Sequence, residues 1–352
     1  MRAPYAAVMH ADADVQPGRM PAEWAPHDRC LMAWPVAGRT ELWGPMYEAA
    51  TGEFAGVARA IARFEPLLMV ARPGDGPAAQ AACGAGVEVL ELPLDDSWMR
   101  DAGPIFCLEP SGARHGVTFR FNSWGERFLP YDQDALLAGR LLERLGERRV
   151  VSAMVLEGGA ITVDGEGTLI TTEQCLLNPN RNPSMDRGQI EDELRARLGV
   201  ERVVWLPYGQ FDDPHTDGHV DGVCAFTAPG RVILQTCAIP GHPDVERSAA
   251  NRAALEAATD AAGRPLEIVE LPYLPFVEVG GDELAVSYLN FYVANGGVVV
   301  PLAGHPDDEP ALALLAEVFP GREVIGVPGR VISYGGGGVH CITQQIPSSS
   351  PR

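Results

Sequence analysis

Residues 134–159, DALLAGRLLERLGERRVVSAMVLEGG, hold the pattern that decides the fold. From Asp134 to Arg148, leucines recur at helical spacing among arginines and glutamates, which predicts an amphipathic helix. The run Val150–Val155 is short, apolar and rich in branched residues, as expected of a buried strand. Glu157 and two glycines follow it. A helix that leads into a buried strand and then a turn is typical of α/β proteins.

The same alternation continues along the whole chain. Four further segments are predicted as buried strands: Leu67–Ala71, Val87–Leu92, Val203–Leu206 and Val298–Pro301. Three more amphipathic helices, each opened by acidic residues, are predicted over Asp186–Leu198, Asp244–Ala262 and Asp307–Phe319. Several β-β-α-β groups of about 60 to 70 residues can be drawn, so we expect one compact α/β unit with internal repetition.

Composition excludes several kinds of chemistry. The 352 residues carry 27 basic and 47 acidic side chains, a net charge of −20, and every basic residue is an arginine. Without lysine there is no Schiff base and no phosphate-loop hydrolysis of nucleotides. The negative charge, with no basic run, argues against nucleic acid as a partner. An acidic surface instead favours small cationic ligands.

The cysteines and the chain ends indicate where the protein works. The seven cysteines are widely spaced and include no Cys-x-x-Cys pair, which predicts reduced thiols rather than a disulfide framework. The first 20 residues lack the apolar stretch of a signal peptide, and no run of 18 apolar residues follows. We therefore expect a cytoplasmic protein without a membrane segment. Residues 1–19 are predicted as a mobile tail, 20–347 as one domain and 348–352 as a C-terminal tail.

Two clusters near predicted strand ends combine carboxylates with glycine. Asp95–Pro104 contains three carboxylates, an arginine and a tryptophan before a Gly-Pro turn, which suits recognition of a cation or a simple solvated turn. Glu157 leaves the buried strand just before Gly158 and Gly159. It is either a desolvated acid that works with a histidine or a turn residue.

A third cluster, Asp212–Asp221, contains a possible acid/base pair. His219 and Asp221 are two residues apart and share one face of an extended segment. A metal-dependent hydrolase that uses His215, Asp217, His219 and Asp221 is the rival interpretation. Since the chain lacks the helical His-Glu-x-x-His spacing, an acid/base histidine is favoured.

The fourth cluster, Gly335–Gln345, places a thiol beside a glycine-rich loop. Four successive glycines permit close approach of a ligand, and Cys341 follows them. A nearby cation or histidine could make this cysteine a nucleophilic thiolate, although a buried core residue is the simpler reading. One cysteine, one histidine and several carboxylates at separate strand ends together predict an active site.

These motifs identify a resemblance that covers nearly the whole chain. The sequence resembles the agmatine deiminase family of the guanidine-modifying pentein superfamily, which is related to bacterial peptidylarginine deiminases. The matching motifs are Met20–Trp24, Met32–Pro35, Asp95–Pro104, Asn122–Glu126, Leu156–Gly159, Asn178–Pro183, Gly218–Asp221, Asn290–Gly297 and Gly335–Gln345. The resemblance implies an α/β pentein fold, a five-bladed propeller of pseudo-fivefold β-β-α-β repeats, with 20–347 as the catalytic domain.

The resemblance also implies roles for five residues. Cys341 is the expected nucleophile toward a guanidinium carbon, Glu157 and His219 transfer protons, and Asp96 and Asp221 bind guanidinium nitrogens. The implied reaction is hydrolysis of agmatine to N-carbamoylputrescine and ammonia through a covalent S-alkylthiouronium on the cysteine. No metal and no organic cofactor are implied, and a homo-oligomer is expected.

Substrate choice stays open at the sequence level. Gly222 follows Asp221 where agmatine deiminases usually have asparagine, so another alkylguanidine, arginine or peptidylarginine is an alternative substrate for the same thiol chemistry. Trp98 is a candidate for stacking on the substrate. Asp217 is a candidate for binding a distal ammonium, or shapes the loop before His219.

Overall fold

The structure, a computed structural model, describes residues 15–349. The predicted tails therefore lie largely outside the described residues, at 1–14 and 350–352. Within the expected N-terminal tail, Arg19 pairs with Leu108, and each backbone N–H donates to the other's carbonyl at 2.9 Å.

The chain is a mixed α/β protein. Its strands are β1 (His27–Ala33), β2 (Leu67–Ala71), β3 (Val87–Glu91), β4 (Ile105–Leu108), β5 (Arg114–Arg120), β6 (Arg148–Val155), β7 (Ile161–Val163), β8 (Thr168–Thr172), β9 (Arg202–Leu206), β10 (Cys224–Ala228), β11 (Arg231–Gln235), β12 (Glu267–Leu271), β13 (Phe276–Val279), β14 (Asp282–Ala285), β15 (Tyr292–Ala294), β16 (Gly297–Leu302), β17 (Glu323–Pro328) and β18 (Thr343–Pro347). Its helices are α1 (Tyr47–Ile61), α2 (Gly76–Cys83), α3 (Met99–Ala102), α4 (Ser123–Glu126), α5 (Asp134–Leu145), α6 (Glu173–Leu176), α7 (Arg187–Leu198), α8 (Pro243–Ala257), α9 (Asp308–Val318) and α10 (Arg330–Tyr334).

One arrangement of three strands recurs in the sheets. In β4-β5-β6, β7-β8-β9, β10-β11-β12 and β15-β16-β17, the first two strands are antiparallel and the third lies parallel to the second. In each, a helix crosses over between the two parallel strands, as a parallel connection requires. The sheet β18-β1-β2-β3 follows the same order, with β18 antiparallel to β1. Its first strand thus comes from the far end of the chain.

Local sequence explains where the helices begin and end. Helix α5 stops at Leu145 rather than Arg148, because Gly146 takes a left-handed conformation (φ 69°, ψ 26°) that ends the helix. Asp186 caps α7, since its side chain accepts the Gln189 N–H in a capping box. The predicted strand Leu67–Ala71 has the bounds of β2.

Branched and aromatic side chains from the sheets and helices fill the interior between them. The hairpin β13–β14 stands outside the repeated sheets and contacts α10. In the part of the chain that the structure describes, no helix is both long and apolar enough to span a membrane.

Candidate active site

The segments that connect one sheet to the next carry the polar residues of the site. Asp96 and Asp101 lie between β3 and β4, Glu157 between β6 and β7, and His219 and Asp221 between β9 and β10; Asn290 precedes β15, and Cys341 precedes β18. All seven side chains belong to buried residues. The repeated sheets therefore gather residues that are far apart in sequence.

Cys341 lies at the junction of two of these segments. Its Sγ is 3.4 Å from Oδ2 of Asp221 and 3.3 Å from Oδ1 of Asn290. Burial, together with Asp221 and Asp101, raises the pKa of the Cys341 thiol well above its ordinary value. A cation bound beside these carboxylates would oppose both effects, so this thiol is suited to activation by a positively charged ligand.

Asp221 is held by a histidine that the sequence motif contains without a predicted role. Nδ1 of His340 is 2.9 Å from Oδ2 of Asp221. Burial alone would raise the pKa of Asp221, but the hydrogen bond and charge of His340 outweigh it and lower that pKa below its ordinary value. The carboxylate is therefore kept ionised in a buried position.

His219 faces several acidic groups without a close hydrogen bond. Its Nδ1 is 3.9 Å from Oδ2 of Asp101, and neither ring nitrogen has a hydrogen-bond partner among the residues that the structure describes. Burial favours the neutral ring, yet Asp101, Cys175 and Glu157 raise the pKa of His219 well above its ordinary value. A buried imidazole that is surrounded by acidic side chains can act as a general acid and a general base.

Glu157 is fully buried, and in the described part of the chain only one of its two carboxylate oxygens accepts a hydrogen bond. Its Oε1 accepts a hydrogen bond of 2.6 Å from Nε of Arg181, while Oε2 has no hydrogen-bond partner within residues 15–349. Gly159, two residues later, lies against the centre of the site. A Cβ there would be 2.6 Å from Nδ1 of His219 and 2.9 Å from Oδ2 of Asp221, so the close approach requires glycine.

Asp96 lies in an inner pocket that we define by Asp96, Trp98, Asp101, Trp124 and Cys341. Nε of Arg39 is 3.4 Å from its Oδ2, and the Ser97 N–H donates to Oδ1 at 2.8 Å. Burial outweighs these contacts and raises the pKa of Asp96 to about 6. The inner pocket thus has a carboxylate near the thiol that a cationic ligand would help to ionise.

An outer cavity of about 620 Å³ adjoins this pocket. His215, Thr216, Gly336 and Cys341 line both spaces, so the two lie side by side. The carboxylates that line the outer cavity are Asp212, Asp213, Asp221, Asp282 and Glu283. An acidic passage that leads to a buried thiol favours entry of a cation.

The two weaker candidates differ in their surroundings. Trp98 lines the inner pocket and stacks on Trp43, with ring centroids 6.0 Å apart. Asp217 instead forms ion pairs with Arg127 and, at 2.8 Å, with Arg181. Its carboxylate is thus occupied by the chain's own guanidinium groups, which fits the loop-shaping alternative.

The residues of the rival metal site do not form one ligand group. Asp217 is bound by arginines and Asp221 by His340. Among residues 15–349, the ligand atoms that do come together, within 4.8 Å of one another, belong to Glu157, Cys175 and His219. The Arg181 guanidinium on Glu157 opposes a second cation there.

Three residues of the site, Asn290, Asp101 and His340, were given no role from the sequence. Asn290 accepts the backbone N–H groups of His340 and Cys341 at 3.0 and 3.3 Å. Asp101 accepts the Trp124 indole N–H at 2.9 Å and the Gly159 N–H at 2.9 Å. His340 is the third. Each lies within a motif used for the resemblance, but nothing local in the sequence distinguishes its role.

The chain is similar to known proteins over nearly its whole length. The family model of the Porphyromonas-type peptidyl-arginine deiminases matches residues 19–347. The agmatine deiminase of Stutzerimonas stutzeri (strain A1501) is 43% identical over 358 residues, which cover 95% of this chain and 96% of that protein. A solved structure of the agmatine deiminase of Enterococcus faecalis is similar with a TM-score of 0.92 at 33% identity, and the match covers 97% of this chain and all of that one.

Proposed function

Because the chain belongs to the agmatine deiminase family, among the Porphyromonas-type peptidyl-arginine deiminases, we propose that it hydrolyses agmatine to N-carbamoylputrescine and ammonia. The observation that carries this proposal is the buried Cys341 thiol, 3.4 Å from the Asp221 carboxylate at the inner end of an acidic cavity. A guanidinium is planar and permanently charged, so carboxylates bind it with paired, charge-assisted hydrogen bonds.

In this mechanism, binding of the substrate and activation of the nucleophile occur together. Asp96 and Asp221 hold the guanidinium nitrogens and place its carbon against Sγ. The cation lies against the carboxylates and the thiol, so it offsets the charges that raise the pKa of Cys341, and the thiol loses its proton to solvent. The thiolate therefore forms where its target is already positioned.

The covalent steps follow from the groups beside the thiol. The sulfur adds to the guanidinium carbon, and His219, with Glu157 nearby, gives its proton to the departing nitrogen. The C–N bond breaks, ammonia leaves and a planar S-alkylthiouronium remains on Cys341. His219, now neutral, takes a proton from water, whose oxygen adds to the same carbon. The new hydroxyl group loses its proton to solvent as the C–S bond breaks, which releases the carbamoyl product and the thiolate.

Agmatine is favoured over arginine by charge. Arginine adds an α-carboxylate to the same guanidine, and the outer cavity that would receive it is lined by carboxylates, Asp282 and Glu283 among them. Like charges repel there, whereas the distal ammonium of agmatine is attracted. Arginine and peptidylarginine are therefore the poorer substrates in this proposal.

We also propose that the repeated sheets are the five blades of a propeller around the site. The shared strand order and the closure of β1 by β18 support this arrangement. So does the origin of the site residues in the successive connections between sheets. The cytoplasmic location and homo-oligomer expected from the sequence remain predictions.

Turnover of agmatine by the purified protein tests the function. Ammonia and N-carbamoylputrescine are both measured, and they are expected to form in equal amounts. Arginine is the comparison substrate, and Cys341→Ser is the control. The reaction is repeated with a chelator. The proposal requires turnover of agmatine that survives the chelator and disappears in the variant. Activity that the chelator abolishes and Cys341→Ser retains would establish the metal-dependent alternative instead.

A further inference from the structure

A chain of buried ionic contacts runs from Cys341 to the beginning of the domain. Oδ2 of Asp221, 3.4 Å from Sγ, is also 2.9 Å from Nδ1 of His340. The other ring nitrogen, Nε2, is 2.7 Å from Oε1 of Glu23. Nη1 of Arg100 is 3.5 Å from that same oxygen of Glu23. These groups connect His340 with Glu23, which lies 317 positions earlier in the chain.

The geometry indicates which form of His340 is present. A neutral imidazole has one donor and one acceptor nitrogen, whereas an imidazolium has two donors. Both nitrogens of His340 face carboxylate oxygens at hydrogen-bond distance, so both must donate. The side chain is 8% exposed and that of Glu23 is 15% exposed, so water screens this pair little.

The charges of the neighbouring groups agree with that form. Burial and Arg100 act to lower the pKa of His340, but Glu23 and Asp221 outweigh them and raise it above its ordinary value. Burial alone would raise the pKa of Glu23, yet His340 and Arg100, with His27 at longer range, lower it to about 2. Glu23 is thus ionised wherever His340 is charged.

The sequence context of His340 places that charge next to the nucleophile. His340 immediately precedes Cys341, and the Asn290 side chain accepts the backbone N–H groups of both. Arg100 secures the same turn from its other side, since its backbone N–H donates to the Cys341 carbonyl and its Nε to that of His340. The imidazolium is therefore fixed in position relative to the thiol.

We propose that His340 and Glu23 are positioning residues for the thiol: the His340 imidazolium compensates the Asp221 charge beside Cys341, and Glu23 keeps the proton on His340. Without that compensation, the Asp221 carboxylate opposes formation of the thiolate 3.4 Å away. The proposal rests on the proposed function in taking Cys341 as the nucleophile. It adds a role for two residues that do not touch the substrate.

The test measures the thiolate directly. Glu23→Gln and His340→Gln are compared with the wild type, and alkylation of Cys341 by iodoacetamide is followed against pH by mass spectrometry of its peptide. Iodoacetamide is neutral and needs no turnover, so the rate reports the thiolate fraction. Both variants are expected to shift the alkylation profile to higher pH by about one unit, a roughly tenfold slower reaction at pH 7. kcat/KM for agmatine should fall to a similar extent and recover as the pH rises.

Glu109→Gln is the matched control. Glu109 is a buried carboxylate held by a histidine and an arginine, His115 at 3.3 Å and Arg148 at 2.6 Å, as Glu23 is held by His340 and Arg100. It does not line the inner pocket or the outer cavity. This variant is expected to lose stability without a shift of the alkylation profile.

The outcomes separate the two proposals. An unchanged profile in Glu23→Gln, or one that matches Glu109→Gln, overturns the role of His340 and Glu23 even if agmatine is turned over. The expected shift without any turnover of agmatine keeps that role and rejects the substrate. If His340→Gln does not fold, as judged by circular dichroism, Glu23→Gln carries the test. Glu23→Asp, which keeps the charge, should then restore part of the wild-type profile.

Discussion

Alanine at Gly159 is expected to disable the site while the fold persists. Its Cβ would lie 2.6 Å from Nδ1 of His219, 2.9 Å from Oδ2 of Asp221 and 3.0 Å from Oδ1 of Asp101. Ordinary van der Waals contact begins at 3.4 Å, so relief of the closest clash moves the imidazole from 2.6 to 3.4 Å, a movement of about 0.8 Å. The backbone conformation itself does not demand glycine, since φ lies outside the left-handed region.

Two magnitudes follow from that displacement. A misplacement of roughly 1 Å in a catalytic group reduces turnover on the order of 100-fold. Overpacking of one methyl group in a buried region costs about 1–3 kcal/mol of unfolding free energy. We therefore expect Gly159→Ala to lower kcat/KM for agmatine about 100-fold and to remain folded at room temperature.

Steady-state kinetics and urea unfolding check this prediction together. Gly52→Ala is the matched control, because Gly52 lies in helix α1 and a Cβ there would meet no described residue outside its own helix within 4 Å. That variant should keep its activity and gain about 0.4–1 kcal/mol in stability. Wild-type kinetics in Gly159→Ala would refute the placement of His219 and Asp221 against this glycine.

Three further substitutions test other parts of the account. Gly222→Asn should fold with wild-type stability, because the nearest atom to its Cβ would be Oε1 of Gln210 at 3.6 Å, and should change KM for agmatine more than kcat. Asp96→Asn should abolish turnover yet raise the unfolding free energy at pH 7 by about 3 kcal/mol. Burial lifts the pKa of Asp96 from 3.8 to about 6, so the folded state binds the proton more tightly and stability falls as the pH rises through that range. The difference in unfolding free energy between the wild type and Asp96→Asn, measured by urea unfolding at pH 4 and pH 7, should fall to about 0.5 kcal/mol at pH 4. Arg181→Gln should lower the unfolding free energy by about 3–5 kcal/mol, since the buried Glu157 carboxylate loses its 2.6 Å partner; a loss below 1 kcal/mol would contradict this.

The regular elements could be predicted from the sequence because their hydrophobic spacing is local. The strand Leu67–Ala71 and the helix from Asp134 follow directly from that spacing. The predicted helix from Asp244 runs too far, because α8 ends at Ala257 and Thr259 then pairs with Pro265. The hairpin β13–β14 was not predicted, since its strands are short and mostly only half-buried.

Candidate site residues could be predicted where an ionisable residue stands near glycines at the boundary of a strand. Glu157, followed by two glycines, and Cys341, preceded by four, carry that signal. Asn290 does not, because an amide has no distinctive chemistry until its contacts are known. The pairing of His340 with Glu23 is a long-range contact that depends on how the sheets assemble. Local sequence cannot reveal a partner of that kind.

The central claim is a covalent intermediate on Cys341, and the mass of the intact protein during turnover tests it most directly. The protein is mixed with agmatine, the reaction is quenched with acid within the first turnovers, and the intact mass is measured by mass spectrometry. We predict an adduct that adds the mass of agmatine minus ammonia, located on the Cys341 peptide and missing from Cys341→Ser. Turnover of agmatine by Cys341→Ser, without any adduct in the wild type, would contradict it.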